Sequence, residues 1–274
     1  MIKLLIFGPT GSMGKLLCEL ALKDEVIEVV AACGVDHVGA SLDSFLTIKD
    51  PNSLKISDVE NLKDIINQTK PDVAVDFTVA QATEKNCLIC AQNDIKCVIG
   101  TTALSHNFLT KFESTIKENN APAVISPNMA VGMNVFFDIV QKLSHYLHDW
   151  DIEIIEIHHH RKIDAPSGTA LKIGKLIGGT IDSDFDKIVK YGRAKGPNKR
   201  EIGAKKEIGM HSIRAGDIVG DHIVLFAGKG ERIELKHQAN NRYCFAEGAI
   251  KAIKFINEKK EARIYSMKEV LSIN

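Results

Sequence analysis

The sequence predicts an α/β protein with a doubly wound parallel sheet and a second, inserted α+β domain. In the first half, short apolar runs alternate with helical patterns, as they do in βαβ units. From about residue 132 the pattern changes to long strands, a polar stretch and a hairpin, and the last amphipathic helix returns to the first domain. We therefore expect a first domain of residues 1–130 plus 239–274 and a second domain of residues 131–238.

The first domain is predicted to alternate strands with helices. Apolar residues that share one helix face indicate the first helix, as with Leu16, Leu17 and Leu20, and continuous apolar runs indicate buried strands. In chain order the predicted elements are strand 3–7, helix 12–23, strand 26–33, helix 59–68, strand 72–77, helix 81–92, strand 95–100, helix 107–118 and strand 123–126. The ligand crevice of such a sheet lies at the carboxyl ends of its strands.

The second domain is predicted to mix helices with longer strands. In the strand 151–160, Ile152 and Ile154 have one parity while Ile155 and Ile157 have the other, which predicts a β-bulge. The remaining elements are helix 135–147, helix 167–177, a long loop over 183–206, a hairpin of strands 218–227 and 232–237 joined by residues 228–230, and helix 245–257 of the first domain.

Composition excludes several classes of partner. The 274 residues contain 35 Lys and Arg and 35 Asp and Glu, so there is no overall electrostatic attraction to nucleic acid or to an anionic membrane. The longest uncharged stretch, residues 119–137, is interrupted by Pro122 and Pro127 and does not read as a membrane span. Any anion must therefore be bound by a local cluster.

The cysteines fit a cytoplasmic protein with reduced thiols. There are six, and no secretory signal precedes them, because the opening apolar run ends at Gly8. Cys87 and Cys90 form a C-x-x-C within a predicted helix, without the second ligand pair of a structural zinc site. We expect no metal site.

A glycine-rich turn between the first strand and the first helix indicates dinucleotide binding. Gly8, Gly11 and Gly14 have the spacing G-x-x-G-x-x-G, which lets backbone N–H groups and the helix N-terminus face a pyrophosphate. Asp36 lies 22 residues after Gly14 and past the second strand, where a carboxylate accepts hydrogen bonds from ribose hydroxyls. The alternatives are a turn that only packs a helix on a strand and an ordinary solvated acid. The pattern favours a Rossmann-like domain.

The residue after Asp36 bears on the choice between NADH and NADPH. A ribose 2′-phosphate is best held by a fixed cation, whereas His37 carries an imidazole that is mostly neutral near pH 7. Asp36 would repel that phosphate. We expect NADH to serve at least as well as NADPH.

The segment from Glu156 to Ala170 contains the largest concentration of potentially catalytic side chains in the sequence. It places three imidazoles and two cations at a strand end, before a helix N-terminus whose free N–H groups suit a carboxylate. In a strand His158 and His160 point to one side and His159 to the other. The segment is also compatible with surface histidines near a charged turn, with a metal cluster, or with a phosphate or nucleic-acid patch.

This segment resembles the signature of the 4-hydroxy-tetrahydrodipicolinate reductase family, historically called dihydrodipicolinate reductase. The resemblance extends over essentially the whole chain, with the motifs in the same order: the glycine turn, Val75-Asp76-Phe77-Thr78, Gly100-Thr101-Thr102, Ser126-Pro127-Asn128-Met129, E-x-H-H-x-x-K-x-D-A-P-S-G-T-A, Arg214-Ala215-Gly216-Asp217-Ile218-Val219-Gly220 and Gly230-Glu231-Arg232. It implies NAD(P)H-dependent reduction of 4-hydroxy-tetrahydrodipicolinate to tetrahydrodipicolinate, a step of diaminopimelate and lysine biosynthesis.

The resemblance also implies roles for individual residues. His158 corresponds to the proton donor or acceptor and Lys162 to a second proton donor, while His159 and the backbone of Gly168 and Thr169 correspond to the substrate carboxylate site. Together with the glycine turn and the ribose site, the loops that resemble nicotinamide-binding loops give the expected cofactor residues: Gly8, Pro9, Thr10, Gly11, Ser12, Met13, Asp36, His37, Gly100, Thr101, Thr102, Ser126, Pro127, Asn128 and Met129. His160 receives no role.

The family also implies a homotetramer formed through the sheet of the second domain and a small cyclic dicarboxylate as substrate. Three departures stand out: Thr10 and Ala103 occupy positions where many relatives have glycine, and Asp36-His37 replaces an acid-Arg pair. The alternative functions are a dehydrogenase for another amino-acid-like dicarboxylate and a non-catalytic NAD-binding protein.

Overall fold

The computed structural model describes residues 1–50, 52–200 and 206–273. The chain divides into two compact units: the first is Met1–Val131 with Tyr243–Asn274, and the second is Gly132–Arg242.

Strands and helices alternate through most of the first unit, whereas successive strands follow one another in the second. The strands are β1 Ile2–Phe7, β2 Ile27–Gly34, β3 Ser57–Asp58, β4 Val73–Asp76, β5 Lys96–Ile99, β6 Ala123–Ile125, β7 Asp151–His158, β8 Val189–Tyr191, β9 Ile208–Arg214, β10 Gly220–Ala227, β11 Arg232–Ala239 and β12 Ile264–Tyr265. The α-helices are α1 Ser12–Leu22, α2 Leu62–Thr69, α3 Ala80–Ala91, α4 His106–Glu118, α5 Val131–Tyr146, α6 Gly168–Thr180, α7 Phe185–Ile188, α8 Tyr243–Asn257 and α9 Met267–Val270.

The first unit is built on a seven-stranded parallel sheet. Its strand order is β12-β6-β5-β4-β1-β2-β3, and the order reverses direction beside β1, which pairs with both β2 and β4. Such a reversal leaves a crevice at the carboxyl ends of the strands. The predicted doubly wound, Rossmann-like sheet is confirmed.

Both faces of this sheet are covered, as a parallel sheet requires. In β1, Leu4 and Ile6 belong to the core beneath α1 and α8, while Leu5 and Phe7 belong to the core beneath α2, α3 and α4. The C-terminal segment thus supplies one of the helices that complete the first unit. The approach of α8 is close: a Cβ on Gly248 would lie 1.8 Å from the carbonyl oxygen of Met129.

The second unit is built on a five-stranded mixed sheet in the order β11-β10-β7-β9-β8. The hairpin β10–β11 and the pair β10–β7 are antiparallel, whereas β7–β9 and β9–β8 are parallel. One face of β7 is buried through Ile152, Ile154, Glu156 and His158. The predicted α+β domain with its hairpin is confirmed.

The predicted bulge in the strand 151–160 is wrong. β7 runs from Asp151 to His158 and pairs with both β10 and β9 without a register shift. Ile155 and Ile157 simply occupy the opposite face of the sheet, where both are half-buried. The parity switch therefore reflects a strand with apolar residues on two faces.

The predicted loop over residues 183–206 is wrong in its first part. Residues 185–188 form α7, and Phe185 packs so closely on α6 that a Cβ on Gly174 would lie 2.3 Å from its ring. β8 follows, and β9, which sequence reasoning missed, begins at Ile208. Residues 201–205 of the predicted loop lie outside the described residues.

The cysteines are free thiols, and those of the C-x-x-C are buried. Burial raises the pKa of the Cys87 thiol to about 12. Among the described residues, no group of three or more His, Cys, Asp or Glu side chains could hold a metal ion. Within the same part of the chain, no helix has the length and apolar character needed to cross a membrane.

Candidate active site

The glycine turn of the first unit leaves the N-terminus of α1 open. Gly8 has φ +62°, and a Cβ on Gly14 would lie 1.9 Å from the carbonyl oxygen of Gly8. Gly11 is the N-cap of α1 and provides no side-chain hydrogen bond to the first turn. Uncapped N–H groups at a close-packed glycine turn suit an anionic pyrophosphate, so the geometry fits a dinucleotide.

The predicted ribose-binding residues lie in an exposed loop after β2. Asp36 and His37 are both exposed, and His37 has φ +58°. The ring of His37 lies 4.8 Å from that of Phe45, measured between centroids. The Nζ atom of Lys15 in α1 lies 5.8 Å from the Phe45 centroid, so a cation accompanies this loop.

The side chain of Thr101 is engaged within the protein. Thr101 is buried, and its hydroxyl lies 2.7 Å from that of Thr83, which donates to Asp76 Oδ1 over 2.9 Å. Thr78 donates to the same carboxylate oxygen through its backbone N–H and its hydroxyl. Of this predicted loop, the exposed Thr102 and the backbone are left to face a ligand.

The segment 126–129 forms a compact turn. The Ser126 hydroxyl donates to the carbonyl oxygen of Asn128 over 2.8 Å, and Asn128 Oδ1 accepts from the Ala130 N–H over 3.0 Å. Met129 is 1 % exposed and belongs to the core of the first unit. Its side chain is therefore a packing element, and only its backbone remains for a ligand.

In the second unit, a buried carboxylate orients the predicted catalytic histidine. Glu156 is fully buried, and its Oε2 contacts Nδ1 of His158. Arg214 of β9 binds both oxygens of Glu156, at 3.0 Å and 2.9 Å, in a bidentate pair. Because Nδ1 faces the carboxylate, Nε2 is the nitrogen of His158 left for chemistry. A Cβ on Gly220 would lie 3.0 Å from Nε2, so glycine keeps this side open.

The partners of Glu156 keep it ionised. Burial opposes the charge, but hydrogen bonds from His158, Arg214 and Ser212 outweigh it and lower the pKa of this carboxyl to about 2. A carboxylate fixed against one ring nitrogen sets the tautomer and the orientation of the imidazole.

The other two histidines of the triplet lie in the turn that follows β7. His160 contacts the carbonyl oxygen of Gly216 through Nδ1 at 2.9 Å, which ties the turn to the next loop. His159 has a buried Nδ1 without a hydrogen-bond partner in the described part of the chain. Burial and then the positive charge of Arg161 lower the pKa of His159.

Lys162 and the start of α6 complete the group. Lys162 Nζ donates to Asp164 over 2.7 Å and its side chain is one-fifth exposed. Ser167 is the N-cap of α6 and accepts the N–H of Ala170. Gly168 is exposed, with no atom within 4 Å of the position of a Cβ, and its backbone N–H interacts with the carboxylate of Asp164. All five predicted catalytic and substrate residues belong to the second unit.

Comparison with known proteins decides the family. The sequence profile described as "Dihydrodipicolinate reductase, N-terminus" matches residues 2–129, and "Dihydrodipicolinate reductase, C-terminus" matches residues 132–271. The chain belongs to the dihydrodipicolinate reductase family. It is 42 % identical to the 4-hydroxy-tetrahydrodipicolinate reductase of Methanosarcina barkeri, with both chains fully covered. It is also 42 % identical to that of Methanocaldococcus jannaschii, covering 100 % of this chain and 98 % of the relative.

A solved structure agrees with this family membership. The dipicolinate-bound dihydrodipicolinate reductase of Paenisporosarcina sp. TG-14 aligns with a TM-score of 0.77 and 28 % identity over the full length of both chains. Members of the dihydrodipicolinate reductase family are NAD(P)H-dependent oxidoreductases with a Rossmann-type cofactor domain.

Sequence reasoning gave no role to Arg214 or to His222. Both come from strands more than 50 residues after His158, and pairing of β7 with β9 and β10 brings them to Glu156. Arg214 is the first residue of one of the motifs shared with the family. The sequence therefore pointed to Arg214 but not to Glu156 as its partner. His222 carried no signal beyond an imidazole in an apolar strand.

The Glu156 cluster predicts a specific acid sensitivity. The pKa of Glu156 is lowered from 4.5 to about 2, so its contribution to stability is complete above pH 4.5 and disappears as the pH falls through about 2. The change is about 3 kcal/mol. Glu156→Gln should flatten the dependence of unfolding free energy on pH in this window and lower stability near pH 7, because Arg214 loses its carboxylate.

Urea unfolding of wild type and Glu156→Gln from about pH 2 to pH 7 measures this difference. Glu113→Gln is the matched control, because Glu113 forms an exposed pair with Lys117 in a helix of the first unit. Equal pH slopes for all three proteins would contradict the assignment.

Proposed function

We propose that this chain reduces 4-hydroxy-tetrahydrodipicolinate to tetrahydrodipicolinate with NADH or NADPH, as a step of diaminopimelate and lysine biosynthesis. The relatives of equal length carry the name of this activity. The observation that carries the proposal is the Glu156–His158 pair, which lies beside Lys162 and the open N-terminus of α6 in one unit. A dianionic substrate that must gain a proton needs these three features together.

The reaction consumes a hydride and a proton and releases water. The reduced nicotinamide supplies the hydride. Lys162 donates a proton to the leaving hydroxyl group, which departs as water, while Nε2 of His158, whose Nδ1 is oriented by Glu156, takes a proton from the ring and returns it to the ring when the hydride arrives. The net proton consumed comes from Lys162, which regains it from solvent because its side chain is partly exposed.

The carboxylates of the substrate are assigned to His159 and to the N-terminus of α6. The backbone N–H groups of Gly168 and Thr169 are among the first of the helix, where carboxylates are bound favourably. The cofactor pyrophosphate is assigned to the glycine turn, and the nicotinamide and its ribose to the segments 100–102 and 126–129.

Replacement of the proton donors provides the first test. His158→Gln and Lys162→Ala should each lower kcat about 10²–10⁴-fold with retained cofactor binding, because each removes a general acid. The nicotinamide absorbance is followed with freshly generated 4-hydroxy-tetrahydrodipicolinate, and NADH binding is measured by fluorescence titration.

His148→Gln is the control, because His148 is an exposed histidine of the same unit. An inert wild-type protein that still binds NADH would favour the non-catalytic alternative. Faster turnover of a different dicarboxylate than of 4-hydroxy-tetrahydrodipicolinate would favour the alternative of a dehydrogenase for another amino-acid-like dicarboxylate.

We propose that NADH serves at least as well as NADPH. Asp36 accepts from the ribose hydroxyls of NADH and repels a 2′-phosphate. Lys15, near the tilted ring pair of Phe45 and His37, offers a cation to that phosphate, so NADPH is accepted as well.

Michaelis constants for both cofactors test this preference. Wild type should show a KM for NADH no higher than that for NADPH. Lys15→Ala should raise the KM for NADPH several-fold and leave that for NADH unchanged, since it removes one exposed phosphate contact. A preference of wild type for NADPH of about a hundredfold would contradict the proposal.

We propose further that the chain assembles as a homotetramer through the second sheet. Its outward face carries five apolar residues that are half-buried or exposed in the single chain: Ile155, Ile157, Ile213, Ile223 and Leu225. Neighbouring apolar residues bordered by charged ones, such as Glu153 and Lys236, are typical of an interface between subunits.

Light scattering after gel filtration measures the assembly. The double variant Ile155→Lys/Ile223→Lys should dissociate the tetramer, because two charges would be buried without partners. Tyr146→Lys replaces an exposed aromatic residue of α5 and serves as the control. A monomeric wild type, or a tetrameric double variant, would contradict this interface.

A further inference from the structure

His222 lies on the inner face of the second sheet among the groups of the proposed active site. In β10 it stands directly opposite Glu156 of β7 and, on its other side, opposite His237 of β11. Directly opposed residues in antiparallel strands share one face. His158 follows on the same face, and its ring lies 5.3 Å from that of His222 in an edge-to-face arrangement. His222 is 4 % exposed.

Ser167, the N-cap residue of α6, is contacted from both β7 and β10. The backbone N–H of Ser167 donates to Glu156 Oε1 over 3.3 Å, and the Ser167 hydroxyl lies 3.2 Å from Nε2 of His222. Glu156 and His222 are register partners, so two neighbouring strands fix one residue at two points. Gly168 and Thr169, the first two residues of α6, follow immediately.

The surroundings of Ser167 allow its hydroxyl to donate to His222. Ser167 Oγ already accepts the N–H of Ala170 over 3.1 Å, and Ser167 is 2 % exposed. In the described part of the chain, the acceptor left for its single hydroxyl proton is Nε2 of His222. With the Ser167 hydroxyl donating to Nε2, the proton of the neutral imidazole resides on Nδ1, which has no hydrogen-bond partner in the described part of the chain.

The charges around His222 favour the neutral form. Burial and then the positive charge of His158 lower the pKa of His222 to about 3, and Glu156 opposes this only in part. The other groups that face it are His237 from β11 and Lys162 from the turn after β7. Glu156, the carboxylate directly opposite His222, contacts the ring of His158 through Oε2.

We propose that His222 is a positioning residue of this site: a neutral imidazole that accepts the Ser167 hydroxyl proton, fixes the carboxylate-binding start of α6, and leaves the reacting proton to His158. This inference rests on the proposed function for its link to substrate. The contacts of His222 with Ser167 and His158 are independent of that link.

Binding of pyridine-2,6-dicarboxylate, a planar dianion, tests the role in positioning. His222→Leu should weaken binding and raise the KM of the substrate about tenfold, with a smaller change in kcat, because the start of α6 loses one buried hydrogen bond. His222→Gln, which keeps an acceptor at the same reach as Nε2, should restore both to within about threefold of wild type. His148→Leu is the matched control.

A double-mutant cycle separates positioning from direct contact. If His222 acts through Ser167, the double variant Ser167→Ala/His222→Leu should bind the dianion with an affinity within about twofold of that of Ser167→Ala alone. Additive losses, or a His222→Gln variant as impaired as His222→Leu, would overturn the proposal.

Imidazole ¹⁵N spectra of the wild-type protein provide a measurement that needs no variant to fold into an active enzyme. His222, assigned by its absence in His222→Gln, should remain the neutral Nδ1–H tautomer from about pH 5.5 to pH 8.5. A charged His222 in this range would overturn the proposal. If wild type is inert but these results hold, the proposed function fails and the role of His222 stands. If wild type turns over the substrate but His222→Leu binds pyridine-2,6-dicarboxylate normally, the proposed function stands and the role of His222 fails.

Discussion

The buried carboxylate of Glu156 organises the second unit. An ionised group with no exposed surface is costly unless every oxygen has partners, and Glu156 meets this requirement through Arg214, His158 and the Ser167 N–H. These partners come from β9, from β7 itself and from the start of α6. One charge therefore orients an imidazole, binds a cation and anchors a helix, which is why the site forms where three elements meet.

The chain is neutral overall, yet both units have places suited to anions. In the first unit the N-terminus of α1 has no side-chain cap and is approached through glycine. In the second, the N-cap residue of α6, Ser167, is itself bound by Glu156 and contacts His222, and the exposed Gly168 begins the helix. The two helices achieve similar electrostatics by different means: one by omitting a cap, the other by turning its cap inward.

The fold was predictable to the extent that periodicity reports burial. The alternation of apolar runs and helices identified the parallel sheet, and the hairpin was evident from its glycine-containing turn. The errors share one cause. Ile155 and Ile157 of β7 face away from the core, so period-two reasoning about a single buried face mistook them for a bulge. Phe185, in a polar stretch, becomes an anchor only because Gly174 leaves space for its ring.

For the site, the sequence by itself determined which chemical groups are present and their local order: a glycine turn before a helix, then His158, His159, Lys162 and a helix start within one short segment. The spacing of residues along the chain is enough to predict this order in space, because the geometry of a strand or a helix involves only residues that are close in sequence. Only the tertiary structure determined which group each histidine contacts. Arg214 and His222 reach Glu156 through strand pairings that join residues more than 50 positions apart, and Thr101 turns its hydroxyl toward Asp76 and Thr83. Hydrogen-bond partners and burial depend on these long-range pairings, and no short-range pattern encodes them.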